Sequence, residues 1–483
     1  MRRRHMSETP GFSKPEWLEA RDYQRDAIQA WMQNDGQGIL SMATGTGKTI
    51  TALLAAERLA TLQDDRLAII VAAPYQHLVD QWVEEFQAFG VTPVRAYQSR
   101  TSWTNEVVGR VTEFSSGVRD VVAIVTTHAT FTGEHFQQVL GRLDGAVTLL
   151  VADEVHHLGA PHFRDNLPEA VRARLGLSAT PERWYDDAGS RALNAYFSNG
   201  IVYEYGLEKA IADGHLCEYY YVPHVVSLTD DEEEDYLALS RAIGQRMAAA
   251  NEGSVGDADL TADESLQQLL FKRARLTGTA ENKLPLLRSL VERSGEFTHT
   301  LVYCSDGSVQ TEEGEGAKRQ LRAATELLGS DLGLKVHQFT YEEDQTTREQ
   351  LLADFESDRL QALVAIRCLD EGVDVPATQT AFVLASSSNP RQFVQRRGRI
   401  LRPHAQKDYA IIHDFIVTPP RSARSLGSES VFDVERNMLK KELERVSTFA
   451  EAAKNHPDAD LRSIPTSPQS LAELKEDFNL LDT

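Results

Sequence analysis

The run Met42-Ala43-Thr44-Gly45-Thr46-Gly47-Lys48-Thr49 is the first stretch with chemistry to offer: two glycines, a lysine and hydroxyls in one short loop. Before it stands an apolar run, Gly38 to Ser41, that reads as a buried strand, and after it Ile50 to Leu62 has helical composition. A glycine-rich turn between strand and helix lets backbone N–H groups converge on an anion, and the helix N-terminus adds partial positive charge. Thr44, Gly45, Thr46 and Gly47 would form the cradle, Lys48 would reach the β- and γ-phosphates of a nucleotide, and the Thr49 hydroxyl would ligate Mg²⁺. Met42 stands where such loops usually open on Gly. Taken alone, the stretch also fits a glycine-rich turn with an incidental Lys-Thr.

Carboxylates and arginines form the other clusters. Asp153-Glu154-Val155-His156-His157 follows the apolar run Leu149 to Ala152, which puts two adjacent acids at a strand end. Asp153 suits Mg²⁺, held through its hydration shell, and Glu154 suits an attacking water that must be oriented or deprotonated. A polar turn with a helix cap would explain one acid and neither histidine. Ser178 and Thr180 follow another strand, Leu175 to Leu177, and their hydroxyls could relay the state of a phosphate. Upstream, the Gln24 amide has the donor and acceptor that the N6/N7 edge of adenine requires, although a solvated Gln on an amphipathic helix is the plainer reading. Pro74 and Gln76, and Thr126, Thr127 and His128, also follow strands, where they could touch a phosphodiester backbone; turn chemistry and capping explain them as well. Far downstream, Gln395-Arg396-Arg397-Gly398-Arg399-Ile400-Leu401-Arg402 concentrates positive charge, with Arg399 and Arg402 on one face if the segment is helical. A surface basic patch is the alternative there.

The elements that hold these residues alternate. Leu67 to Ala73, Val121 to Val125 and Val147 to Ala152 read as strands and Tyr75 to Phe89 as a helix, the pattern of a parallel sheet covered on both faces, which binds ligands at the carboxyl ends of its strands. A second alternating segment begins near Asn282, with strands at Thr300 to Tyr303, Val336 to Phe339, Ala362 to Ile366, Ala381 to Ala385 and Tyr409 to Ile412, and it carries no second cradle. Between them, the acidic run Asp230 to Asp235, the helical stretches Tyr236 to Ala250 and Ser265 to Arg275 and a polar loop read as an inserted hairpin. Its basic end, Lys272-Arg273-Ala274-Arg275, faces either nucleic acid or solvent. The expected organisation is an N-terminal extension (1–20), a first sheet domain (21–205), a linker with the helical insertion (206–281), a second sheet domain (282–418) and a helical tail (419–483).

Composition limits the function. At 483 residues and 41% hydrophobic, the chain is long enough for more than one core. A net charge of -22 argues against coating nucleic acid through bulk charge and leaves room for a local basic track. Cys217, Cys304 and Cys368 lie too far apart for a four-cysteine metal site, and no disulfide framework is expected. The basic start, Met1 to Met6, is followed by no apolar segment, and no run approaches the roughly 20 apolar residues of a membrane span. A soluble, cytoplasmic protein without a membrane partner is expected.

Cradle, Asp-Glu-Val-His and Ser-Ala-Thr-Pro, in this order at successive strand ends, resemble motifs I, II and III of the superfamily 2 helicases, in the Asp-Glu-x-His form of DNA translocases such as excision-repair helicases and restriction-enzyme motor subunits. By residue, Lys48 and Thr49 match motif I, Asp153, Glu154 and His156 motif II, and Ser178 and Thr180 motif III. Gln24, with Arg21 before it, resembles the adenine-reading Gln motif. The stretch Arg367 to Pro376, with Gly372 and Asp374, resembles motif V, and Gln395, Gly398, Arg399 and Arg402 match motif VI. The resemblance covers about Arg21 to Asp414. It implies an α/β fold of two RecA-like parallel-sheet domains in tandem, ATP and Mg²⁺ as cofactors, hydrolysis in a cleft between the domains, and Arg399 and Arg402 acting on the γ-phosphoryl group. DNA, single-stranded or duplex, is the expected partner. RNA stays open as an alternative, as does an ATP-driven switch or scaffold in a defence or DNA-modification complex that separates no strands. The tail and the helical insertion are where a protein partner would dock.

Overall fold

The computed structural model describes residues 12–181, 186–253, 264–295, 297–305, 307–309, 318–340, 342–366, 375–385, 390–420 and 429–455. The chain divides into two compact units, Met1–Gly214 and His215–Thr483. In the first, seven strands form one sheet: Gln37–Met42 (β1), Leu67–Ala73 (β2), Val94–Ala96 (β3), Val121–Thr127 (β4), Thr148–Ala152 (β5), Ala173–Ser178 (β6) and Ile201–Tyr205 (β7). Their order is β3-β4-β2-β5-β6-β1-β7, and every pairing is parallel. All seven residues of β2 and all five of β5 are buried, as continuous apolar runs require when helices cover both faces. One face is filled by Trp103, Phe114, Phe131 and Phe136.

The second unit repeats the plan. Glu218–Val226 (β8), Thr300–Tyr303 (β9), Val336–Phe339 (β12), Ala362–Ala365 (β13), Thr380–Val383 (β14) and Tyr409–Val417 (β15) form a parallel sheet in the order β12-β13-β9-β14-β15-β8. Ser308–Val309 (β10) and Lys318–Arg319 (β11) make a separate antiparallel pair. The fold is thus the tandem parallel-sheet, RecA-like architecture. β8 lies within the stretch read as linker and insertion. Pro223 and polar residues break its apolar pattern, and an edge strand tolerates both.

After β8 come the two hairpin helices, Asp230–Gly253 and Glu264–Gly278. The acidic run Asp230 to Asp235 opens the first of these helices, with Asp230 to Glu233 in its first turn, where negative charge complements the helix dipole. A reciprocal cap starts it: the Thr229 N–H donates to Glu232 Oε2 at 3.0 Å and the Glu232 N–H to Thr229 Oγ1 at 3.4 Å. The C-terminal helix, Glu429–Glu451, packs against the first hairpin helix and β8. Residues 456–483, the rest of the expected tail, lie outside the described residues, as does most of the polar loop in the hairpin.

Candidate nucleotide site

The order of the first sheet brings the sequence clusters together. β5, β6 and β1 are neighbours, so Asp153-Glu154, Ser178 and the loop after Met42 leave adjacent strands at the same edge. The loop bends through two glycines with left-handed backbone, Gly45 at φ 89° and Gly47 at φ 76°, and Gly47 caps the loop helix Lys48–Leu62. A Cβ on Gly47 would also stand 3.3 Å from the Gln24 amide nitrogen, so glycine satisfies both the dihedral and the space. Lys48 Nζ donates to the Met42 carbonyl at 3.3 Å, and Thr46 Oγ1 donates to the Ala43 carbonyl at 2.7 Å. The Thr44 hydroxyl is buried with no partner among the described residues, as fits a group kept for an anion in the cradle.

The carboxylates differ in setting. Asp153 is buried, accepting from the Trp82 indole N–H at 2.8 Å and the Glu154 backbone N–H at 2.9 Å. Burial pushes its carboxyl above the usual range, while the Trp82 bond, the Lys48 ammonium and the Glu154 N–H oppose that push. Glu154 has a left-handed backbone (φ 43°) and belongs to a side-chain cluster. Ser178 Oγ donates to Glu154 Oε2 at 3.4 Å, His156 Nδ1 lies 3.1 Å from Ser178 Oγ and 3.5 Å from Glu154 Oε2, and the Thr180 N–H donates to Ser178 Oγ at 3.1 Å. Glu154, Ser178, His156 and the turn after β6 thus form one connected set of contacts.

Gln24 is 4% exposed rather than solvated. Its Oε1 accepts from the Arg21 N–H at 3.0 Å and its Nε2 donates to Thr51 Oγ1 at 3.2 Å, while Tyr23 donates its hydroxyl to the Thr46 carbonyl at 2.7 Å. Arg21, Tyr23 and Gln24 thus brace the cradle from the first helix, Asp22–Gln33. Of the residues read as backbone contacts, Pro74 is half-buried and Gln76 exposed at the start of the helix Gln76–Ala88. The others turn inward: Thr126 Oγ1 donates to the Ala96 carbonyl at 2.5 Å, Thr127 caps the short helix after β4, and His128 is 1% exposed with Nε2 3.2 Å from the Ala72 carbonyl. Burial pushes the His128 imidazole down to about 3, so the ring is neutral.

In the second unit the arginine helix, Pro390–Ile400, follows β14. Gln395, Arg396 and Arg397 are buried, and Arg399 and Arg402 are half-buried. Arg402 falls just past the helix end, in a turn closed by Lys407, whose ammonium donates to the carbonyls of Ile400, Arg402 and Pro376. Gly372 and Asp374 lie outside the described residues. Sequence reading missed Trp82 and Lys407. Neither belongs to a local motif; each acts through a neighbour that only the folded chain supplies.

Known proteins resemble both halves of the chain. A family profile described as "Type III restriction enzyme, res subunit" matches residues 18–183, and one described as "Helicase conserved C-terminal domain" matches residues 282–404. Together the two profiles and the relatives below support a superfamily 2 helicase, a class that runs on ATP. Among its relatives, the DNA 3'-5' translocase XPB2 of Sulfurisphaera tokodaii is 26% identical over 404 residues, covering 80% of this chain and 79% of that protein. The DNA 3'-5' helicase XPB of Mycobacterium tuberculosis is 25% identical over 409 residues, covering 83% and 61%. Of relatives from Haloarcula marismortui and Halobacterium salinarum the chain spans 56% and 53% of the length. Among solved structures, the Type ISP restriction-modification enzyme LlaBIII bound to DNA superposes with a TM-score of 0.60 at 18% identity, covering 97% of this chain and 32% of that one. The Pyrococcus furiosus Hef helicase domain gives 0.51 at 16% identity, covering 85% and 98%. No helix among the described residues is long and apolar enough to cross a membrane.

Proposed function

We propose that this chain is an ATP-driven DNA translocase or helicase whose hydrolytic site is built on the β5-β6-β1 edge of the first unit. The observation that carries this reading is the joining of Glu154, His156 and Ser178 beside the Lys48 cradle, since a phosphate loop alone binds nucleotide without a device to use it. The cradle N–H groups and Lys48 hold the β- and γ-phosphates. Thr49 and Asp153 would hold Mg²⁺, which when bound would neutralise charge on the phosphate oxygens. Trp82 fixes Asp153 in one orientation through its indole N–H. Glu154 orients the attacking water and accepts its proton, and Ser178 with His156 passes the resulting change to the turn carrying Thr180. Arg399 and Arg402 stabilise the charge that develops on the transferred phosphoryl group, an effect worth roughly 10³–10⁵ in rate in related phosphoryl transfer.

DNA as the track is supported by the relatives named for DNA 3'-5' activity and by the restriction-type family match. Gln76, exposed after β2, is our candidate for contact with a phosphodiester backbone, whereas Thr126 and His128 are turned inward onto Ala96 and Ala72. Parallel assays of ATP turnover and of strand displacement on a tailed duplex test the reading. Turnover stimulated by DNA with strand displacement marks a helicase, and stimulated turnover without it marks a translocase. Turnover indifferent to DNA contradicts the proposal.

A further inference from the structure

Arg397 is not one of the arginines read as acting on phosphate, yet it is 5% exposed and its guanidinium is committed to another element. Its Nη1 donates to the Thr448 carbonyl of the C-terminal helix at 2.5 Å and to the Tyr219 hydroxyl of β8 at 3.4 Å, and the group lies 4.9 Å over the Phe449 ring. That helix is anchored in turn. Arg445 pairs with Asp414 of β15 at 2.5 Å, both nearly inaccessible to water, and Asp414 also accepts from the Tyr221 hydroxyl at 2.7 Å. Two turns before Arg445, the Tyr236 hydroxyl of the first hairpin helix meets Met438 Sδ at 2.9 Å. Arg273 of the second hairpin helix reaches back to Ser240 Oγ at 3.4 Å and sits 5.8 Å over the Tyr236 ring.

A second connection reaches the same arginine helix from the opposite end. Lys283 is buried, and its ammonium donates to the Leu384 carbonyl at 2.5 Å, just past β14 in the stretch that leads to the arginine helix. It also donates to the Thr277 and Gly278 carbonyls at 2.7 and 3.3 Å, where the second hairpin helix ends. The approach to the arginine helix is thus tied to the hairpin exit, and its body to the C-terminal helix. Apolar side chains would join these elements at lower desolvation cost, whereas a buried guanidinium fixes direction and register.

We propose that Arg397 is a positioning residue that sets Arg399 and Arg402 according to the packing of the C-terminal helix and the helical hairpin, so that events at the hairpin change ATP turnover. This inference rests on the proposed ATPase reading. The test uses the full chain and measures ATP turnover at saturating nucleotide with and without linear duplex DNA. The ratio of the two rates is independent of any inactive fraction. Arg397→Met keeps volume and apolar packing but removes the directed bonds. The expected result is a ratio lowered about fivefold, within the usual range of coupling between sites, with KM for ATP and the melting temperature near wild type. Phe449→Leu, a milder change on the other partner, should lower the ratio in the same direction, and it decides the matter if Arg397→Met fails to fold. A wild-type ratio in folded Arg397→Met, or in Phe449→Leu should the first not fold, overturns the proposal. If wild type shows no DNA stimulation, or Arg399→Ala keeps full turnover, the underlying ATPase reading fails and the coupling falls with it. Loss of turnover in Arg399→Ala alongside an unchanged Arg397→Met ratio removes the coupling and leaves the ATPase reading intact.

Discussion

Glu154 and Ser178 stand 24 positions apart, and their side chains meet at 3.4 Å because β5 and β6 are neighbours in the sheet. In the proposed mechanism this contact separates a site that turns over from one that only binds. Glu154→Gln should keep ATP binding, since the cradle is untouched, while turnover falls by about 10²–10⁴, the usual worth of a general base. Lys48→Ala should remove turnover together with most nucleotide affinity. Filter binding of radiolabelled ATP alongside phosphate release separates the two outcomes, and near-normal turnover in either variant would contradict the site. Lys48, Asp153 and Glu154 were legible in the sequence because their chemistry is packed into a few consecutive residues at a strand end. Trp82 was not, because its bond to Asp153 exists only through the pairing of β2 with β5. Gln24 was noticed for its amide, but its burial against Thr51 and Gly47 depends on how the first helix meets the loop helix.

At the scale of elements, the second unit relies on buried charge. Asp414 and Arg445 are 1% and 3% exposed, so a neutral replacement strands the partner charge away from water. Asp414→Asn should destabilise that unit by about 3–5 kcal/mol, read as a shift in the urea midpoint of its unfolding transition. A shift within error would mean that the pair is solvated in solution. Acid sensitivity belongs here as well. Burial pushes His128 in the first unit and His413 in the second down to about 3, so both stay neutral in the folded chain as the pH falls below the ordinary histidine value of about 6.5. The unfolded chain takes up those protons, and stability therefore falls from about pH 6.5 downward until the folded pKa is reached, by about 2 kcal/mol per histidine at pH 5. His413→Gln should flatten the pH dependence of the second unit's unfolding by about one proton; an unchanged slope would show that the ring titrates freely. The regular strands were legible as apolar runs of four to seven residues, whereas β3 and β7, with exposed or polar positions, and β8, with Pro223, carried too little apolar pattern to be separated.

For the whole molecule, division of labour follows from where the motifs lie. One unit carries the phosphate loop and the carboxylates; the other carries the arginine helix, the hairpin and the C-terminal helix. The tandem plan was legible because apolar strands alternate with helices twice along the chain. The links from Arg397 to the C-terminal helix were not, since a buried arginine and a motif arginine look alike in a sequence. Arg399→Ala should lower turnover far more than nucleotide affinity if the second unit contributes to the chemical step. If only affinity falls, the arginines bind without acting on the reaction.

The most direct measurement is the initial rate of ATP hydrolysis by the purified chain with no nucleic acid, with single-stranded DNA, with duplex DNA and with RNA in parallel. A DNA motor is expected to show a rate raised about tenfold or more by DNA and little by RNA, equivalent to about 1.4 kcal/mol or more off the barrier. A rate that is the same in all four, or raised by RNA alone, would contradict a DNA motor.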